Sequence, residues 1–137
     1  MRAHPDSADG MGEFNAIDIK TGRILWRHRT PTPLTSAALT TGGGLVVTGD
    51  WDRNVYVHDA ATGKILLQAR MPSAVQGFPV TYAVKGKQYL AIPFGTGSPR
   101  VTFPAPLMPG RKLPPLGNGI QVFALSDRAA AASGGSR

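Results

Sequence analysis

Residues 16–26, "AIDIKTGRILW", return 41 positions later as "VHDAATGKILL", residues 57–67. Ala16 aligns with Val57, Asp18 with Asp59, Thr21 with Thr62 and Gly22 with Gly63. Arg23 aligns with Lys64, Ile24 with Ile65, Leu25 with Leu66, and Trp26 with Leu67. Each copy reads as a strand, a tight turn and a second strand. A period near 40 with strand content points to a β-propeller, in which one repeat makes about one four-stranded blade.

Each repeated position has a chemical job. Asp18 closes a strand, and its carboxylate can accept backbone N–H bonds inside the turn that follows. Thr21 can do the same more weakly. Gly22 supplies the positive φ that lets the chain reverse. Ala16 is small and Trp26 is large, so the indole can cover its small neighbour and the adjacent sheet. That contact buries on the order of 200 Å². The repeat therefore reads as a device for docking blades, with Trp26 largely buried against the other blade. Because Trp26 belongs to a repeated frame, this reading outweighs a role in stacking on substrate.

The rest of the chain agrees with a turn-rich β protein. Only 17% of its 137 residues are charged, while it holds 17 glycines and 12 prolines. Strands are expected at 13–18 and 23–29. A connector, "TPTPLTS", leads to the buried strand Leu45-Val46-Val47. "NVYVHD" and "KILLQARM" form a hairpin. "PVTYAV" and "QYLAIPF" form another around Lys85-Gly86-Lys87. A last strand is expected at 119–125. Seven of the prolines fall between residues 93 and 115, which predicts a long surface loop there. No segment has a helical period. The predicted fold is all-β: a partial propeller of about two four-stranded antiparallel blades plus a closing strand, spanning residues 12–126. Residues 1–11 and 127–137 are expected to be unstructured flanks.

Other signals exclude more than they assign. Cysteine is absent, which removes disulfides, thiolate metal sites and a Cys nucleophile. No run reaches the roughly 18 apolar residues of a membrane span. The opening "MRAHPDSADGMG" lacks the apolar core of a secretory signal. The formal charge is +7, but Lys20, Arg23, Arg27, Arg29, Arg53, Lys64, Arg70, Lys85 and Lys87 are dispersed along strand-like segments. That pattern suits a solvated basic surface better than a nucleic-acid interface. "DWDRN" at 50–54 has alternating oxygens, yet Val55 and Ala61 stand where a calcium loop needs Gly and Glu. "TTGGGL" lacks the Lys-Ser/Thr of a phosphate loop. His4, His28 and His58 have no metal-ligand spacing, and no nucleophile elbow occurs.

The pattern A-x-D-x-x-x-G-x-x-x-W, complete from Ala16 to Trp26, resembles the tryptophan-docking motif of quinoprotein alcohol dehydrogenases. "LTTGGGLVVTGDWDRNVYVHDAATGK", "GFPVTYAVKGKQYLAIPFGTG" and "GNGIQVFAL" follow in family order. Together they resemble the C-terminal blades of the methanol/ethanol dehydrogenases that use pyrroloquinoline quinone (PQQ). The resemblance implies oxidation of a primary alcohol to the aldehyde, with electrons passed to an external, cytochrome-type acceptor. It also implies a periplasmic location and a calcium or lanthanide ion beside the quinone. The family's metal ligands, catalytic aspartate and vicinal disulfide come from earlier blades, so no catalytic and no metal residue is assigned here. Thr35 falls where methanol dehydrogenases place a tryptophan facing the quinone. Ser98 and Pro99 fall where they place a Gly-Trp pair. These three are the candidate cofactor-proximal residues.

On this reading the chain is expected to bind no cofactor and to be inactive alone. Its partners would be the remaining blades, or further copies of itself through open edges. The alternative is a non-catalytic quinoprotein-like scaffold or interaction module.

Overall fold

A computed structural model describes residues 10–124. These residues form nine strands in three antiparallel sheets. Strands β1 (Gly12–Ile17) and β2 (Ile24–Thr30) make a two-stranded sheet. Strands β3 (Leu39–Thr40), β4 (Leu45–Gly49), β5 (Asn54–Asp59) and β6 (Ile65–Arg70) follow in order as a complete four-stranded blade. Strands β7 (Val80–Val84), β8 (Lys87–Gly95) and β9 (Asn118–Ala124) make a three-stranded sheet. The architecture is the partial all-β propeller that the repeat predicts. Two blades and a closing strand also call for nine strands, but these are divided two, four and three.

The sequence period is a structural period. Asp18 and Asp59 each accept a backbone N–H in their turn, from Lys20 and Thr62, both at 2.8 Å. Gly22 and Gly63 take φ of 70° and 74°, the left-handed conformation that the turn needs. Both hairpins slip register at equivalent places, between Ala16 and Ile17 and between Val57 and His58. The repeat also runs further than the hairpin. Leu34 bridges Asp50 as Val75 bridges Phe94, and Ser36 pairs with Gly77 in parallel across the two sheets. Leu34 and Val75, like Ser36 and Gly77, are one 41-residue period apart.

Strand exposure follows from position. β4 and β5 lie inside the blade, covered on both faces, and their cores (Val46, Val47, Val55, Tyr56 and Val57) are buried. That is why Leu45-Val46-Val47 reads as a continuous apolar run. β6 is an outer strand, and Ile65, Leu66 and Leu67 remain exposed. The main core joins Val47, Val55, Val57 and Met71 of the complete blade to Val75 and Ile92 of the next. A second cluster packs Trp51 with Ala74, Val101 and Met108.

Four expectations change. Strand β3 lies between the TPTPLTS connector and the Leu45-Val46-Val47 strand, where no strand was expected. It has only two residues, and its pairing to β4 and the adjoining bridges hold it rather than propensity. β8 runs through Pro93 to Gly95, three residues into the expected loop. Pro93 sits in the ladder beside Ile120 and turns its carbonyl to the Gln76 N–H at 3.2 Å. The missing amide therefore faces away from β9. Beyond Gly95 the proline-rich segment contains a short helix, Pro99–Thr102, and a 3-10 turn, Ala105–Leu107. Met11, expected to be unstructured, packs against the Trp51 cluster. Residues 1–9 and the tail 127–137 lie outside the described residues.

Candidate functional site

The start of β3, the β4–β5 turn and the end of β6 lie at one end of the blade. All three candidate residues are at this end. Thr35 is buried. Its N–H and that of Ser36 both reach the Gly49 carbonyl, at 3.1 and 3.3 Å. The Ser36 hydroxyl accepts the Gly49 N–H at 2.8 Å. The Thr35 hydroxyl donates to the Val75 carbonyl in the neighbouring sheet. That hydroxyl is therefore committed to joining two sheets.

Ser98 and Pro99 lie on the other side of the same Ala74–Gln76 segment. The Gly95 N–H donates to Ala74 at 2.8 Å, and the chain then turns through Thr96 and Gly97. Ser98 caps the short helix, its hydroxyl accepting the Arg100 N–H at 3.3 Å. Pro99 occupies the first turn, where its missing N–H costs nothing. Thr35 and the Gly95–Pro99 turn thus flank one short segment of chain.

Two further polar residues share this rim and were not singled out from the sequence. The amides of Gln76 and Asn118 converge on Gly95. A Cβ at Gly95 would sit 2.8 Å from Gln76 Nε2 and 2.0 Å from Asn118 Oδ1. Asn118 Oδ1 also accepts the Thr96 N–H at 3.2 Å. Gln76 was findable, because it is the one-period counterpart of Thr35.

The rim offers amide and hydroxyl groups that can hydrogen-bond carbonyl or carboxylate oxygens. Among the described residues no group of three or more His, Asp or Glu side chains is placed to hold a metal ion. Asp50, of the "DWDRN" stretch, is fully buried. It accepts from Asn54 N at 2.8 Å, Asn54 Nδ2 at 3.0 Å and Tyr56 Oη at 2.8 Å. Burial and that carboxylate push the Tyr56 phenol well above its ordinary range, so it stays a protonated donor. The rim carries hydrogen-bonding groups of the kind that could meet a carboxylate-bearing ligand. A metal cage would have to be drawn from other chain segments.

The seam between β2 and β5 carries Trp26. Trp26 is half-buried, less than expected, and spans the two sheets. Its Nε1 donates to the Ala60 carbonyl at 2.8 Å, and its ring stacks on His58 with centroids 5.5 Å apart. Its lateral partner in the ladder is Ala16, the small neighbour that the repeat predicts. At the equivalent place in the second copy, Leu67 pairs with Val57 and is exposed.

Residues 4–90 match the family model of the β-propeller domain of glucose, ethanol and alcohol dehydrogenases. The chain is 36% identical over 89 residues to the quinoprotein alcohol dehydrogenase PedE of Pseudomonas putida, covering 65% of this chain and 14% of that protein. It is 35% identical over 89 residues to methanol dehydrogenase (cytochrome c) subunit 1 of Methylobacterium organophilum, again covering 65% and 14%. Among solved structures, a europium-containing methanol dehydrogenase superposes with a TM-score of 0.75 at 28% identity. That match covers 89% of this chain and 24% of the other. The quinohemoprotein alcohol dehydrogenase of Comamonas testosteroni gives 0.67 at 26% identity, covering 82% and 16%. The chain therefore spans only about a seventh of the length of the curated relatives named here.

Proposed function

This chain belongs to the β-propeller family of glucose, ethanol and alcohol dehydrogenases, and we propose that it supplies the C-terminal blades of a PQQ-dependent alcohol dehydrogenase. The complete propeller would oxidise a primary alcohol to the aldehyde in the periplasm and pass electrons to a cytochrome-type acceptor. The observation that carries this reading is the rim. Two neighbouring inner segments, one period apart, bring Thr35, Gln76, Asn118 and the Gly95–Pro99 turn to the same end of adjacent sheets.

When bound, the quinone supplies the two-electron chemistry, and the protein orients it. Ser98 and Pro99 contribute the accessible lip of the wall. Thr35 is a positioning residue, because its hydroxyl ties the inner segment to Val75 and so fixes where the lip stands. We assign the Trp26 seam the role of docking one blade on the next. The calcium or lanthanide ion and the catalytic base would be held by blades outside this chain. Alone, the chain neither retains the quinone nor turns over alcohol.

A chimera tests the proposal. Residues 12–124 replace the equivalent segment of a PQQ-dependent relative. Dye reduction that requires both PQQ and alcohol is the expected result. A folded, PQQ-binding chimera without turnover would refute catalytic equivalence and favour the scaffold role.

A further inference from the structure

A cleft of about 390 Å³ opens beside the Trp51 cluster, lined in part by Asp52, Arg53, Arg70, Arg111 and Lys112. Four cationic side chains therefore face one carboxylate. Arg53 and Arg70 look dispersed along the sequence, and the fold gathers them with Arg111 and Lys112 from the proline-rich segment. Asp52 lies between two of them, 3.6 Å from Arg70 and 3.5 Å from Arg111. Among the described residues, neither Arg53 nor Lys112 has a carboxylate within ion-pair distance. The charge on this cleft is thus far from balanced.

The walls are held in place. Trp51 is 1% exposed, and its Nε1 donates to the Val101 carbonyl at 2.6 Å, which pins the proline-rich segment to the blade. Ser73 Oγ donates to the Pro115 carbonyl at 2.6 Å, and the Arg111 N–H reaches Met108 at 3.1 Å. Pro114 and Pro115 stiffen the far wall. Arg53 adds a separate observation. Its φ is 70°, in the left-handed region where glycine would be favoured. A backbone held against its preference is a pointer to function, and here it places a guanidinium on the cleft.

We propose that this cleft binds a small multivalent oxyanion, a ligand carrying two or more carboxylate or phosphate groups. Guanidinium forks match both groups with paired hydrogen bonds, and Lys112 adds a point charge. Asp52 orients Arg70 and Arg111 without neutralising the cleft. This site is independent of quinone binding, and its test needs neither PQQ nor alcohol.

The experiment is calorimetric titration of the full chain at low salt with citrate and, separately, pyrophosphate. Binding of at least one probe is expected, and the preferred probe tells carboxylate from phosphate recognition. Arg53→Gly and Lys112→Ala should each weaken that binding by roughly tenfold. Arg53→Gly also relieves the positive φ, so its thermal midpoint should not fall, which separates lost affinity from lost fold. Lys20→Ala, in the turn after β1, should change affinity by less than about twofold. The proposal is overturned if neither probe binds, if Arg53→Gly binds as well as the parent, or if Lys20→Ala weakens binding as much.

Discussion

The indole of Trp26 lies directly against Gly63, the glycine of the next hairpin in the repeat. A Cβ built on Gly63 would stand 2.6 Å from the Trp26 ring. Gly63 therefore meets two demands: φ of 74° for its own turn, and a bare Cα for the tryptophan of the preceding sheet. Gly22 has nearly the same φ, 70°, but nothing lies within 4 Å of its Cβ position.

That difference makes a paired test. Gly22→Ala should cost about 1–2 kcal/mol, the left-handed penalty alone. Gly63→Ala carries the same penalty plus displacement of the indole, and should cost at least about 1 kcal/mol more. Trp26→Ala should cost about 2–3 kcal/mol, since the ring is half-buried. In the Trp26→Ala background the excess cost at Gly63 should vanish. Chemical denaturation of the four variants gives the coupling directly, and purely additive costs would break the docking role.

The legible parts of this molecule are those set by local chemistry. Asp18, Gly22, Asp59 and Gly63 announce their turns because a carboxylate acceptor and a positive φ are needed within a few residues. Leu45-Val46-Val47 announces a buried strand because both faces are covered. β3 was invisible because two residues carry no periodicity; it pairs with Val46 and Val47 of β4, and the residues just before it are held by Gly49, Val75 and Gly77. The rim was half legible. Thr35, Ser98 and Pro99 came from resemblance, whereas Gln76 required carrying the period past the hairpin. The basic cleft could not be read at all, since Arg53, Arg70, Arg111 and Lys112 meet only after the proline-rich segment folds back.

That segment depends on Trp51. The ring is fully enclosed, and its one polar atom is satisfied by Val101. Trp51→Phe should keep most of the packing and cost about 1–2 kcal/mol for the lost hydrogen bond. Trp51→Ala should cost about 3–5 kcal/mol and release the segment. Trypsin cleavage after Arg100, Arg111 and Lys112 should then accelerate well before global unfolding. Unchanged cleavage in Trp51→Ala would show that the segment is held by other contacts.

The Trp26 seam should also respond to pH. His28 meets Tyr56 edge-on at 4.8 Å and His58 at 4.8 Å. Burial, and then the neighbouring His58, hold the His28 imidazole below its ordinary pKa of 6.5, against a smaller opposing pull from Asp50. The native state therefore binds fewer protons here than the unfolded chain. Stability from this group is full above pH 6.5, erodes as pH falls below that value, and stops eroding below the native pKa. Glu13, Asp18 and Asp59 are held low, the first by Asn15, the second by the Lys20 N–H and the third by Thr62. They titrate at more acid pH, outside this window. His28→Phe keeps a ring at the seam and removes the proton site. Its stability should change less than the parent's between about pH 7.5 and 5.5. Equal slopes would remove His28 from the account.

The outer faces predict how the chain behaves in solution. Ile65, Leu66 and Leu67 on β6 are exposed, as are Val80, Tyr82 and Val84 on β7 and Ile120 and Val122 on β9. Apolar side chains on open strands favour association through faces and edges alike. In a whole propeller the neighbouring blades would cover them. Purified alone, the chain should run larger than 14.4 kDa on size exclusion. Placing Lys at Leu66 and Val122 together should shift it toward monomer, because charge on an outer strand opposes pairing. The same preparation, given PQQ, calcium or lanthanum, a primary alcohol and a dye acceptor, should show no turnover, since we assign the metal cage and the catalytic base to blades outside this chain. A clean monomer that reduces the dye would overturn both expectations, and would mean that the rim of Thr35, Gln76, Asn118 and Ser98 suffices for what we assign to the missing blades.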